Sequence, residues 1–304
     1  MIALRQTALG LGVVLSMVFL AAERQPARGQ EFSTKAEFST KAESSTKAEQ
    51  SVKETTQAKA TSALSDACAR ANFRVVVDVG HTVDVPGAMS ARGIPEYAFN
   101  LELAKDVKQA LLDAGFSQTV LLITATAPWA GLVERAARAN RMRANLFISI
   151  HHDSVPDNLL KTWDYDGQED HFNDDYPGYA IFMSNDNGDR AGSLLFGAFL
   201  GKELESRGLH YTPHYTLALM GHRRRVLVDA KAGVYRYDQL IVLRDTKMAA
   251  VLLEAGSIVN RPEELELGTE KRRALTSAAV AAAVADFCTA RPQLSGARAA
   301  ASAR

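Results

Sequence analysis

Apolar residues fall into two kinds of run along this chain. Short, β-branched runs at 74–79, 119–124, 146–151, 179–184, 239–243 and 249–254 are apolar on consecutive rather than alternating positions. That pattern predicts strands in a sheet covered on both faces. Longer stretches at 95–114, 132–143, 189–207 and 263–287 repeat their apolar positions every three or four residues, which predicts helices. Pro95 suits a first helical position and Gly115 a stop, and Gly208 follows the third stretch where a terminating glycine belongs. Strands alternating with helices predict an α/β fold: a single domain with a mostly parallel twisted sheet of about six strands and helices on both faces. Residues 66–292 hold all of these elements, an ordinary length for one such domain.

The ends of the chain read differently. Arg5, an apolar run from Ala8 to Ala22 and the small residues after it predict a signal peptide over 1–29. The run is shorter than the ~20 residues of a membrane span, so the mature chain is expected to have none. From Glu31 the hexapeptide Glu-Phe-Ser-Thr-Lys-Ala occurs twice and then decays. Its period matches neither a coiled coil nor a strand, and it has almost no large apolar groups. A flexible linker over 30–65 is expected, and a loose tail over 293–304.

Net charge is formally zero, so no global field favours nucleic acid or an anionic membrane. The basic run from His222 to Arg225 reads as a solvated loop, or as a group that holds a carboxylate. The two cysteines, Cys68 and Cys288, flank the domain. An even count in an exported chain permits a bridge, and two separate buried thiols are the other reading. Two interruptions, 163–177 and 211–233, are long for loops of a compact domain. The first carries many acids and leaves the sheet just after His151, where it could overlie a site.

Four short pieces carry candidate chemistry: Asp78-Val79-Gly80-His81, Glu96, Ser149-Ile150-His151-His152-Asp153 and Leu252-Leu253-Glu254-Ala255-Gly256. His81, His151 and Glu254 fall at the carboxyl ends of predicted strands, where open α/β sheets gather ligands. Two histidines and a glutamate can supply three protein ligands to Zn²⁺ and leave a fourth position for water. A second glutamate, Glu254, then remains for proton transfer, which completes a kit for metal-assisted hydrolysis of an amide. Neighbouring strand residues point to opposite faces, so His151 and His152 cannot both face one metal without a break in the strand. Asp153 could orient a ligand histidine or simply start a turn with Ser154. Glu102 and Glu134 read as surface charges of helices.

These pieces, with Asn100-Leu101, Leu132-Val133-Glu134-Arg135 through Asn140, Val242-Leu243-Arg244 and Asn260, resemble the zinc-dependent N-acetylmuramoyl-L-alanine amidases of bacterial cell walls, the amidase-3 family. The resemblance covers essentially the whole domain. It implies that His81, Glu96 and His151 are the zinc ligands, with His151 rather than His152 as the second histidine, and that Glu254 is the catalytic glutamate. The implied reaction cleaves the amide between the lactyl group of N-acetylmuramic acid and L-alanine of the stem peptide, with Glu254 activating the zinc-bound water. Three residues depart from the family pattern: Thr82, where a glycine is common, Tyr97, where a lysine is frequent, and His152, often alanine. The implied partner is peptidoglycan, with room for an activator protein, and the chain is expected to be an exported monomer, periplasmic or cell-wall associated. A zinc carboxypeptidase or endopeptidase on the stem peptide, and a wall-binding relative without turnover, are the rival readings.

Overall fold

The computed structural model describes residues 68–125 and 128–302. The expected signal peptide and linker lie outside the described residues. In chain order the elements are β1 (Val75–Val79), α1 (Glu96–Asp113), β2 (Val120–Leu122), α2 (Pro128–Arg141), β3 (Leu146–Asp153), β4 (Lys161–Tyr165), β5 (Gln168–Phe172) and β6 (Ala180–Met183). They continue with α3 (Arg190–Glu205), β7 (Val226–Asp229), β8 (Val234–Arg236), α4 (Ile241–Arg244), β9 (Ala249–Ser257), α5 (Arg261–Leu267) and α6 (Glu270–Ser302).

Seven strands form one sheet in the order β2-β1-β3-β9-β6-β8-β7. The block β2-β1-β3-β9 is parallel throughout. Beyond it, β6 runs antiparallel to β9, β8 parallel to β6, and β7 antiparallel to β8. The sheet is therefore mixed, with one strand more than the sequence pattern predicts. Side chains alternate across it as the pleat requires. Val75, Val77, Val79, Leu146, Ile148, Ile150, Val251 and Leu253 enter a core under α1, α3 and α6. Val76, Phe147, Ala250 and Leu252 enter the opposite core, with Ala139 of α2 and Val242 and Leu243 of α4. Helices cover both faces, and the strands are apolar on consecutive positions for that reason.

Local signals explain the main boundaries. Pro95 lies one residue before α1, where its fixed φ and missing N–H cost nothing, and Gly115, at φ 90°, ends the chain's helical course. Asp189 caps α3 by accepting from the Gly192 amide, and Asn260 caps α5 by accepting from the Glu263 amide. Where one helix was expected over 263–287, the structure has two, α5 and α6. The second runs through most of the segment expected to be a loose tail. From Glu270 to Arg291, α6 is long and apolar enough to cross a membrane. Its Ala279, Val280, Ala283, Val284 and Phe287 are instead fully buried in the core.

Two expectations about elements are corrected. Residues 239–243, expected as a strand, lead into the short helix α4. A brief apolar run cannot be told from a buried helical turn by periodicity alone. The acidic stretch after His151 is a hairpin, β4–β5, separate from the main sheet. Asp166 and Gly167 turn it with φ values of 54° and 76°, as an Asp-Gly turn between short strands favours. Cys68 and Cys288 form a disulfide, with their Cα atoms 5.3 Å apart.

Candidate metal centre

β1, β3 and β9 all end at one edge of the sheet. His81 follows β1 after Gly80, and His151 and Glu254 are register partners on β3 and β9. Both lie on the α2 face by the alternation of their strands, because Ser149 and His151 share a face, as do Leu252 and Glu254. Glu96 begins α1 and reaches in from the other side of the turn. One donor atom each from His81, Glu96 and His151 lies within 4.8 Å of the others.

Glu96 is the hub. Its Oε1 accepts from His151 Nδ1 at 2.9 Å, from Asn100 Nδ2 at 3.2 Å and from the His152 amide at 3.3 Å. Its Oε2 lies 2.9 Å from His81 Nε2 and accepts from the Ala88 amide at 3.2 Å. Burial alone would raise the pKa of this carboxyl. The hydrogen bonds from His151 and His81 and their charge outweigh it, and the group titrates well below the usual carboxylate range. Two glycines make room for the cluster. A Cβ on Gly80 would overlap the His151 ring, and one on Gly87 would overlap Glu96 Oε2 and the His81 ring.

His152 takes a different place. The register shifts between His151 and Asp153, yet the His152 ring still turns to the α1 face. There its Nδ1 lies 2.8 Å from Asn100 Oδ1, beside Phe99. Burial lowers its pKa to about 3, so it stays neutral. Asn100 thus holds Glu96 with one end of its amide and His152 with the other. Thr82 closes the turn after His81: its Oγ1 accepts from the Val85 amide at 3.0 Å.

Glu254 lines a cavity of about 280 Å³ together with His81, Glu96, His151, Asp153 and Arg223. Its Oε2 is buried and has no hydrogen-bond partner among the described residues. Burial, then the nearby Asp153 and Glu96 carboxyls, raise its pKa well above the ordinary value, against the opposing charge of Arg223. Asp153 does not orient a histidine of the cluster. It accepts from Tyr215 Oη at 2.6 Å and from the Ser154 amide at 2.8 Å, and burial lifts its pKa to about 6. Arg223 donates to the Ser154 carbonyl at 2.8 Å and lies 3.6 Å from Asp153. One member of the basic run therefore belongs to the cavity wall. Tyr215 and Arg223 come from the long 211–233 interruption, and no local pattern at either residue links it to β3. Glu102 and Glu134 are helix-surface charges, paired with Lys105 and Arg138. The hairpin β4–β5 gives no lining residue to this cavity. It packs instead on the 89–94 loop and the start of α5, where Trp163 Nε1 donates to the Ala91 carbonyl and Arg261 stacks on Phe172.

Fold and cluster together define an α/β protein with a His–Glu–His candidate metal centre and, at the carboxyl edge of its parallel strands, a buried glutamate whose Oε2 has no hydrogen-bond partner among the described residues. Residues 75–286 match the amidase-3 family, described as N-acetylmuramoyl-L-alanine amidase, and the chain belongs to that family. It is 28% identical over 231 residues to a probable N-acetylmuramoyl-L-alanine amidase, AmiB, of Haemophilus influenzae. The match covers 70% of this chain and 51% of AmiB, so the chain spans about half the length of that relative. Two solved structures share the fold. One is the N-acetylmuramyl-L-alanine amidase Ami1 of Mycobacterium smegmatis (TM-score 0.54, 17% identity, 71% of this chain and 97% of that one). The other is the catalytic domain of CwlV from Bacillus (Paenibacillus) polymyxa var. colistinus (TM-score 0.51, 23% identity, 71% of this chain and 97% of that one).

Proposed function

We propose that this chain is a zinc-dependent peptidoglycan hydrolase that cleaves the amide between the lactyl group of N-acetylmuramic acid and L-alanine of the stem peptide. The observation that carries the reading is the convergence of His81, Glu96 and His151 beside the unpartnered Glu254 Oε2, in a chain of the amidase-3 family.

The donor set fits zinc. Two imidazoles and one carboxylate are nitrogen and oxygen ligands that zinc takes in catalytic sites. Here both imidazoles already converge on one carboxylate that titrates well below its usual range. His81, Glu96 and His151 would hold the ion. Zinc, when bound, polarises a carbonyl and lowers the pKa of water. Glu254 supplies the proton-transfer group: a carboxylate in the cavity wall accepts the proton of the attacking water and delivers it to the leaving nitrogen of L-alanine. Burial and the neighbouring acids raise its pKa, which makes the ionised carboxyl a stronger acceptor for that proton. Asn100 and the His152 amide fix the Glu96 carboxylate, so the cluster is preorganised.

Export to the periplasm or cell wall belongs to the same proposal, because the substrate lies there. The Cys68–Cys288 disulfide supports it, since such bridges persist in oxidising compartments. The test is incubation of the purified chain with a soluble N-acetylmuramoyl peptide. The expected products are a free lactyl carboxylate and a peptide with a new L-alanine amine, lost with a chelator and restored by zinc. Cleavage between amino acids of the peptide would instead assign a peptidase.

A further inference from the structure

We infer that Arg135 is a positioning residue for the metal centre: its guanidinium clamps the turn that carries His81 and holds that imidazole toward Glu96. The inference rests on the zinc reading above. His81 has a φ of 65°, in the left-handed region that a non-glycine residue seldom adopts. Such a conformation persists only where the surroundings over-determine it. Arg135, on α2, supplies the surroundings. Its Nη1 donates to Asp78 Oδ1 at 2.7 Å and to the Val79 carbonyl, and its Nη2 donates to the His81 carbonyl. Asp78 is fixed in turn by Ser149, whose hydroxyl donates to Oδ2 at 2.8 Å.

Arg135, Asp78 and Ser149 are 3%, 1% and 0% exposed. A buried guanidinium is costly unless paired and hydrogen-bonded. This one meets a carboxylate and two main-chain carbonyls, and both carbonyls lie on the path from β1 to the histidine. The neighbouring Glu134 and Arg138 pair on the surface of the same helix, so burial singles out Arg135. Its function depends on the fork: a lysine has one nitrogen and cannot span Asp78, Val79 and His81 together. His151 lies on β3, where strand pairing fixes its backbone without this clamp.

The experiment compares the unaltered chain with Arg135→Lys and Asp78→Asn. Zinc affinity is measured by chelator competition, and the His81 and His151 rings are followed by imidazole ¹⁵N shifts without metal. Removing a group that orients a ligand typically weakens metal binding about 10–100-fold, and that loss is expected here. The His81 ring should lose its hydrogen-bonded signature toward Glu96 while the His151 ring keeps its own. Unchanged zinc affinity in both variants would overturn the inference. Simultaneous loss of both ring signatures would also overturn it, because a general structural role would move both. If the unaltered chain binds no zinc, the metal reading falls and this one with it.

Discussion

Glu96 receives both histidines of the cluster on its two oxygens, while one buried oxygen of Glu254 has no hydrogen-bond partner among the described residues. That division is the basis for giving the two glutamates different work. Glu254→Gln should bind zinc as the unaltered chain does and keep its thermal midpoint, while turnover falls about 10²–10⁴-fold. Metal analysis beside kinetics checks it, and loss of zinc from this variant would reverse the assignment. His152 makes a pH prediction. Its pKa is about 3 in the fold, against 6.5 when unperturbed, so between those values the folded state binds fewer protons than the unfolded one. Its contribution to stability is therefore full above about pH 6.5 and declines as pH falls, by up to about 1.4 kcal/mol per pH unit. Asp153, raised to about 6, acts in the opposite sense, so the comparison must be with a variant. Urea unfolding of the metal-free chain should show a shallower acid loss in His152→Asn than in the unaltered chain, and equal slopes would refute it. Strand alternation allowed only one of His151 and His152 toward the site, and the resemblance, not the pattern, chose His151, whose ring meets Glu96. The partners of Asp153 were not legible in sequence, since Tyr215 and Arg223 lie far along the chain and meet it only through the fold.

At the scale of elements, parallel strands β1, β3 and β9 were readable from consecutive apolar positions, and their common edge from the polar residues that end them. The α4 region departs from the strand its pattern predicts because Val242 and Leu243 are both buried, as consecutive residues of a strand covered on both faces would be. The β4–β5 hairpin does not stand out although Asp166-Gly167 offers a turn, because its strands are largely exposed and its one aromatic face, Trp163, Tyr165 and Phe172, is interleaved with charged and polar residues. Trp163 ties this hairpin to the 89–94 loop, donating to the Ala91 carbonyl at 2.9 Å and lying under Arg92 and Arg261. Trp163→Ala should lower stability by about 1–3 kcal/mol through lost packing, stacking and one hydrogen bond. Zinc content should not change, because the hairpin does not line the cavity. Chemical denaturation and metal analysis of the variant decide this, and loss of zinc would show that the hairpin supports the cluster.

For the whole molecule, the disulfide closes a separation of 220 residues between the entry of the domain and its last helix. By the chain-entropy account, so long a loop constrains the unfolded state by up to about 5 kcal/mol. Cys68→Ser with Cys288→Ser should unfold at markedly lower temperature, with activity per folded molecule retained, since both cysteines lie outside the cavity lining. The cysteine count permitted this bridge, and the packing of α6 beside the start of β1 is what brings the two residues together. The bond cleaved and the metal cluster stand or fall together. Both are tested by mass analysis of intact peptidoglycan digested by the purified chain, with and without a chelator, beside Glu254→Gln. The expected products are glycan strands free of peptide and stem peptides beginning with L-alanine, formed only with zinc and only by the unaltered chain. Stem peptides shortened while still attached to the glycan, or full activity in the presence of chelator, would contradict it.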